Sequence, residues 1–177
     1  MNKKILVTII FAILIFNFMP QKTKAEEIDL NTEFNAGVAN VLDIDYEYLS
    51  SIPINPYCVT VYNLTDEEKE LIYRITYLES GNQPIEGQRA VMEVILNRVI
   101  SERWPDTVTE VLSSPGQFST WRKRDRVTEE QLQEMEEVLK LVYLEEEQIL
   151  TSEYMYFNCE EHFSENCIKI KGHWFWK

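Results

Sequence analysis

At 177 residues the chain has room for one domain with a sizeable core and too little for two of ordinary size. Its formal net charge of −13 opposes binding to nucleic-acid phosphates or anionic membrane surfaces, both of which recruit basic patches. With 3 cysteines, 2 histidines and no close His and Cys pairs at ligand spacing, it offers no zinc motif, and no metal or cofactor is expected.

Residues 1–25 read as a secretory signal. Lys3 and Lys4 form a positive start, Ile5 to Met19 is almost wholly apolar, and Thr23 and Ala25 place small residues where a signal peptidase reads. An uncleaved membrane anchor is the alternative, because the apolar run is only slightly short of the roughly 20 residues that span a bilayer. Cleavage removes Lys3, Lys4, Lys22 and Lys24 and no acids, taking the formal charge from −13 to −17, with no stable membrane insertion afterwards. Residues 26–63, interrupted by Pro53 and Pro56, read as an extension or linker, and the domain proper is expected over residues 64–177.

Thr65 followed by Glu68 is a capping box that opens a helix ending near Ser80, with Gly81 expected as a left-handed stop. Pro84 suits the first position of a second helix running to Ile100. Its Ala90, Val91, Val94, Ile95 and Val99 are dense enough to predict burial on more than one side. Gly87 reads as a helix-packing residue, Glu86 has no assigned role, and Asn97-Arg98 reads as capping and dipole interaction. A short helix is predicted over 105–112, then a turn at Ser113-Ser114-Pro115-Gly116. The basic run Trp121 to Arg126 reads either as a solvated loop or as the flank of a groove.

Thr128 opens a third long helix with Leu132, Met135, Val138, Leu139 and Val142 facing inward, and its acids from Glu145 onward form a solvated face. Tyr154 to Phe157 and Cys167 to Ile170 have strand character. Cys159 and Cys167 are predicted to face each other at the base of the last hairpin and to form a disulfide, leaving Cys58 odd. His162, beside Glu160 and Glu161, reads as a solvated loop residue. The fold class expected is α+β: a mainly helical lobe with a small C-terminal β-hairpin, enclosing a cleft with Glu79 at its floor.

Glu79 stands out within this layout. Ile72, Ile75 and Glu79 share one face of the first helix, and Glu79 falls in its last turn. Desolvation and the negative end of the helix dipole both penalise an ionised carboxylate there, which favours the protonated form that a general acid needs. The alternative is a surface residue beside a helix stop.

Five islands extend the argument: Tyr77-Leu78-Glu79, Pro84-Ile85-Glu86-Gly87-Gln88, Asn97-Arg98-Val99, Trp104-Pro105-Asp106-Thr107-Val108 and Pro115-Gly116-Gln117-Phe118-Ser119. In this order and spacing they resemble the cell-wall hydrolase family of bacterial spore cortex-lytic enzymes. Tyr156-Phe157-Asn158 and Gly172-His173-Trp174-Phe175 resemble it more loosely. The resemblance implies a lysozyme-like catalytic domain acting on peptidoglycan glycan strands, exported and associated with the wall or spore. It implies lytic transglycosylation with Glu79 as the single catalytic glutamate, and assigns Gln117, Phe118, Ser119, Tyr156, Asn158 and His173 to substrate binding. Gly81-Asn82-Gln83 departs from the Arg-Gly-Glu that many members carry, which bears on substrate preference.

Two alternatives stay open. A two-carboxylate glycoside hydrolase would need a partner such as Glu86 at about 5–5.5 Å or 6.5–9.5 Å from Glu79. A non-catalytic wall-binding protein would use the aromatics Trp104, Phe118, Trp121, Tyr156 and Trp174 for sugar stacking, and all five could equally be core residues.

Overall fold

The computed structural model describes Asn55 and residues 57–144 and 148–177. The signal at 1–25 and most of the extension at 26–63 lie outside the described residues. The compact unit runs Asn55–Lys177.

Helix α1 (Tyr57–Asn63) belongs to this unit, although the sequence pattern placed it in the extension. Tyr57 is fully buried. Its hydroxyl donates to Asn97 Oδ1 at 2.8 Å, and its backbone N–H donates to Asn55 Oδ1 at 2.9 Å. Helix α2 (Asp66–Ser80) starts at the expected capping box: the Glu68 N–H donates to the Thr65 hydroxyl at 3.2 Å, and the Thr65 N–H to the Glu68 carboxylate at 3.0 Å.

The stop after α2 differs from expectation. Gly81 has φ −59° and ψ −19°, a right-handed conformation, so glycine is required there by crowding. A Cβ would lie 2.7 Å from the Tyr77 carbonyl oxygen and 2.8 Å from two of its ring carbons. Tyr77 cannot easily swing away, because its hydroxyl accepts from Gln131 Nε2 at 2.7 Å.

Helix α3 (Ile85–Ile100) is the centre of the molecule, buried without a break from Gly87 to Arg98. Met92, Ile95 and Leu96 pack into a cluster with Tyr57, Ile72, Ile75, Met135 and Val138. Ala90, Val91 and Val94 pack on the other side against Leu150 and Phe175. A helix gripped from both sides reads as near-continuous apolar sequence, and each fully buried aliphatic side chain contributes about 1.5–3 kcal/mol. Helix α4 (Val108–Ser113) is capped by the Thr107 hydroxyl, which accepts from the Glu110 N–H at 3.2 Å. The basic run forms a 3-10 helix (Ser119–Arg126), preceded by Gly116 at φ 78°, a left-handed position that suits glycine. Helix α5 (Glu129–Leu144) buries Leu132, Met135, Val138, Leu139 and Val142 as predicted.

The C-terminus forms a three-stranded sheet where a hairpin was expected. Strands β1 (Tyr156–Asn158), β2 (Ile168–Ile170) and β3 (His173–Trp176) form an antiparallel sheet in the order β1-β3-β2. This topology corrects the predicted disulfide. Asn158 pairs with Trp174 and Ile168 with Phe175, so Cys159 continues β1 to the level of His173 at the start of β3, while Cys167 enters β2 at the level of Trp176 at its other end. The central strand alone separates the edge strands by about 9.6 Å, twice the interstrand spacing, whereas bridged α-carbons need about 7 Å or less. All three cysteines are free thiols.

Candidate active site

Glu79 occupies the last turn of α2, half-buried. The Thr120 hydroxyl, from the 3-10 helix, donates to its Oε1. The turn behind it is held from two sides. Gln88 Nε2 donates to the Gln83 carbonyl at 3.1 Å and to Glu134 Oε1 at 3.3 Å. Gln83 Oε1 accepts the Gly172 N–H at 2.9 Å, fixing the β2–β3 turn against the α2–α3 turn. A Cβ on Gly172 would lie 2.5 Å from that same oxygen, so glycine allows the approach.

Arg98 is the buried basic group that acts electrostatically on Glu79, and it is 3% exposed. Its Nε donates to the Met155 carbonyl at 2.7 Å, and its guanidinium lies 4.3 Å from the Trp104 ring centre, 5.1 Å from Phe118 and 5.9 Å from Tyr156. Burial lowers its pKa to about 10, against the opposing influence of Tyr156 and Glu79, so it stays cationic at neutral pH. The sequence pattern gave Arg98 to helix capping and surrounded Glu79 with apolar groups. The structure instead sets a hydroxyl donor beside Glu79 and a guanidinium within its electrostatic reach. One clue was available: Arg98 falls at i+7, i+4 and i+3 from Val91, Val94 and Ile95, on a face that α3 buries. Thr120 directly follows the quoted Gln117-Phe118-Ser119 island and was missed only by one residue.

The six predicted substrate residues divide by exposure. Ser119, Tyr156 and Asn158 are exposed and Gln117 is half-buried. Tyr156 stacks on Trp176 at 5.8 Å, and the Asn158 side chain accepts its neighbour's amide, the Glu160 N–H, at 3.2 Å. Phe118 and His173 are 5% and 6% exposed, and both pack on Phe157, at 6.2 and 5.6 Å between ring centres. They offer little surface to a sugar. Burial also lowers the pKa of His173, whose Nδ1 has no hydrogen-bond partner.

Glu86 is exposed, and its carboxylate lies 3.8 Å from Lys171 Nζ on the β2–β3 turn. Such a pair contributes about 0–1 kcal/mol. A shallow depression lined by Glu67, Glu70, Leu71, Arg74 and Asp125 borders the first half of α2 and excludes Glu79. Among the described residues no group of three His, Cys, Asp or Glu side chains is disposed to hold a metal ion, and no helix is long and apolar enough to cross a membrane.

The family described as Cell Wall Hydrolase matches residues 82–176. Glu79 therefore lies just ahead of the matched stretch, and Arg98, Thr120 and the whole sheet lie within it. A spore cortex-lytic enzyme of Oceanobacillus iheyensis is 44% identical over 50 residues, covering 28% of this chain and 18% of that protein. Among solved structures, the catalytic domain of the germination-specific lytic transglycosylase SleB from Bacillus anthracis superposes with a TM-score of 0.52 at 24% identity, covering 65% of this chain and 98% of that one. That likeness shows the fold, the mainly helical lysozyme-like α+β class expected from the sequence.

Proposed function

This chain belongs to the cell wall hydrolase family, and from that premise we propose that it cleaves the glycan strands of peptidoglycan as a lytic transglycosylase, with Glu79 as general acid and then general base. The observation that carries the reading is the setting of Glu79. It is half-buried at a helix end, bonded by Thr120 and within electrostatic reach of a buried cation, while Glu86 stands exposed beside Lys171.

The Glu79 carboxyl donates its proton to the glycosidic oxygen as the C1–O bond breaks, with the electron pair leaving on oxygen. The resulting carboxylate takes the proton from the substrate's own C6 hydroxyl as that oxygen bonds to C1. A 1,6-anhydro sugar is released and no water is consumed. We assign contact with the sugar chain to Gln117, Ser119, Tyr156 and Asn158, which keep accessible surface, and support of that surface to the buried Phe118 and His173. The names of the cortex-lytic relative and the germination-specific neighbour make spore cortex the first substrate to try, and the reading of residues 1–25 as an export signal suits an extracellular target.

The test is digestion of purified sacculi and decoated spore cortex by the parent, Glu79→Gln and Glu86→Gln proteins, with mass spectrometry of the muropeptides. Glu79→Gln keeps the shape of the side chain and removes the transferable proton, which costs about a hundredfold to ten-thousandfold. Glu86→Gln is expected to cut near the parent rate and to give anhydro products. Equal loss in both variants with reducing-end products would move the mechanism to two-carboxylate hydrolysis, and a parent protein that binds sacculi without cutting them would leave a wall-binding protein.

A further inference from the structure

We propose that Arg98 is a positioning residue of the Glu79 centre: its guanidinium is the fixed cation that balances the charge Glu79 carries once its proton has passed to the leaving oxygen. The inference rests on the glycan-cleaving reading and assigns a role that reading does not need.

Three features of the geometry carry it. Among the described residues Arg98 is anchored by one hydrogen bond, from Nε to the Met155 carbonyl, so its orientation is set across the helix–sheet junction and not by the carbonyls of its own helix. Its Nη1 is buried and donates to nothing. A buried donor left unpaired costs about 1–3 kcal/mol, a cost that a purely structural arginine at the end of a helix would avoid by turning to the last carbonyls. The rings of Trp104, Phe118 and Tyr156 surround the guanidinium and hold it out of bulk water, where a charge acts most strongly on its neighbours.

Phe118 ties this arginine to the acid. It touches the guanidinium and lies two positions before Thr120, whose hydroxyl donates to Glu79. Among the described residues the titratable groups acting on Arg98 are Tyr156 from β1 and Glu79 from α2, and Glu79 is the one carboxylate of the two. Arg98 keeps its own protons throughout. It lowers the energy of the intermediate state, in which the proton has left Glu79 and the C6 hydroxyl has not yet returned one, and so acts on turnover more than on binding.

The experiment measures kcat and KM on soluble peptidoglycan fragments for the parent, Arg98→Gln and Arg98→Lys proteins, with thermal melts alongside. Arg98→Gln keeps a donor for Met155 and loses the charge; its kcat is expected to fall about a hundredfold with KM within about threefold. Arg98→Lys keeps the charge and is expected to retain a tenth or more of the parent kcat. Arg98→Gln turning over like the parent overturns the proposal. So do equal losses in both variants that track lost melting temperature, which mark a structural role. If Arg98→Gln does not fold, Arg98→Lys decides: a loss beyond a hundredfold in a folded protein overturns the proposal, and a tenth or more retained supports it. A parent that leaves the fragments uncut overturns the glycan-cleaving reading itself, whereas a parent that cuts beside an unimpaired Arg98→Gln overturns only the role of Arg98.

Discussion

The Thr120 hydroxyl donates a hydrogen bond to Glu79 Oε1, joining the 3-10 helix to the last turn of α2 across 41 residues of chain. The bond occupies one of the two carboxylate oxygens. Thr120→Val keeps the shape and deletes the donor. A hydrogen bond to a charged group contributes about 1.5–3 kcal/mol, so turnover of sacculi is expected to fall about tenfold to a hundredfold with the melting temperature nearly unchanged. Thr120→Ser restores the donor and should recover most of the rate.

Tyr57→Phe tests whether α1 is part of the working domain. The substitution leaves Asn97 Oδ1 buried without its donor, and is expected to cost about 1–3 kcal/mol in urea unfolding with an unchanged slope. Activity below the transition should match the parent. A shift in midpoint within error would place α1 outside the cooperative unit.

His173 gives a pH dependence with a definite sign. Burial lowers its pKa from 6.5 in the folded protein, so on acidification the unfolded chain takes up this proton first. Its contribution to stability is complete above pH 6.5 and is lost as pH falls from 6.5 through the lowered folded value. His173→Phe suits a site between Phe157 and Phe175 and removes the titration. Denaturant midpoints of parent and variant should therefore diverge between pH 7.5 and pH 5, with the variant losing less; parallel curves would refute the assignment.

The topology of the sheet makes the thiols independent. Mass spectrometry after alkylation in denaturant without reductant should find all three cysteines labelled. In the native protein the exposed Cys159 should react first, and Cys58 slowly, since its Sγ donates to the Tyr143 carbonyl at 3.0 Å and burial raises its pKa. A native Cys159–Cys167 bridge would contradict the strand order.

The helices were legible because their signals are local: Thr65 and Glu68 are three residues apart, and the inward face of α5 repeats at helical period. The sheet was legible only as strand character, since nothing in Ile168–Ile170 or His173–Trp176 states that β3 lies between the other two. The disulfide expectation failed for that reason, because nearness in sequence says little about ends separated by a central strand. Gly81 was read by residue type as a left-handed stop, whereas its need for hydrogen in place of a side chain comes from Tyr77, pinned by Gln131 far along the chain. Glu79 was singled out from its place at a helix end, whereas the Thr120 hydroxyl that donates to it comes from another element.

Helix α3 binds the backbone of the segment between α5 and β1 through three buried polar side chains. The Glu93 carboxylate accepts the amides of Ile149 and Leu150, Asn97 donates to the carbonyls of Thr151 and Tyr154, and Arg98 donates to that of Met155. A chain that emerges N-terminus first reaches α3 long before residues 149–155 exist to satisfy it. Until then the side chains of α3 that face residues 149–155 lack these backbone partners, so the helix cannot take up its full set of buried hydrogen bonds before that segment is in place. The stretch that completes the fold is also the one that anchors Arg98, so a chain truncated before residue 149 leaves its guanidinium without the Met155 carbonyl.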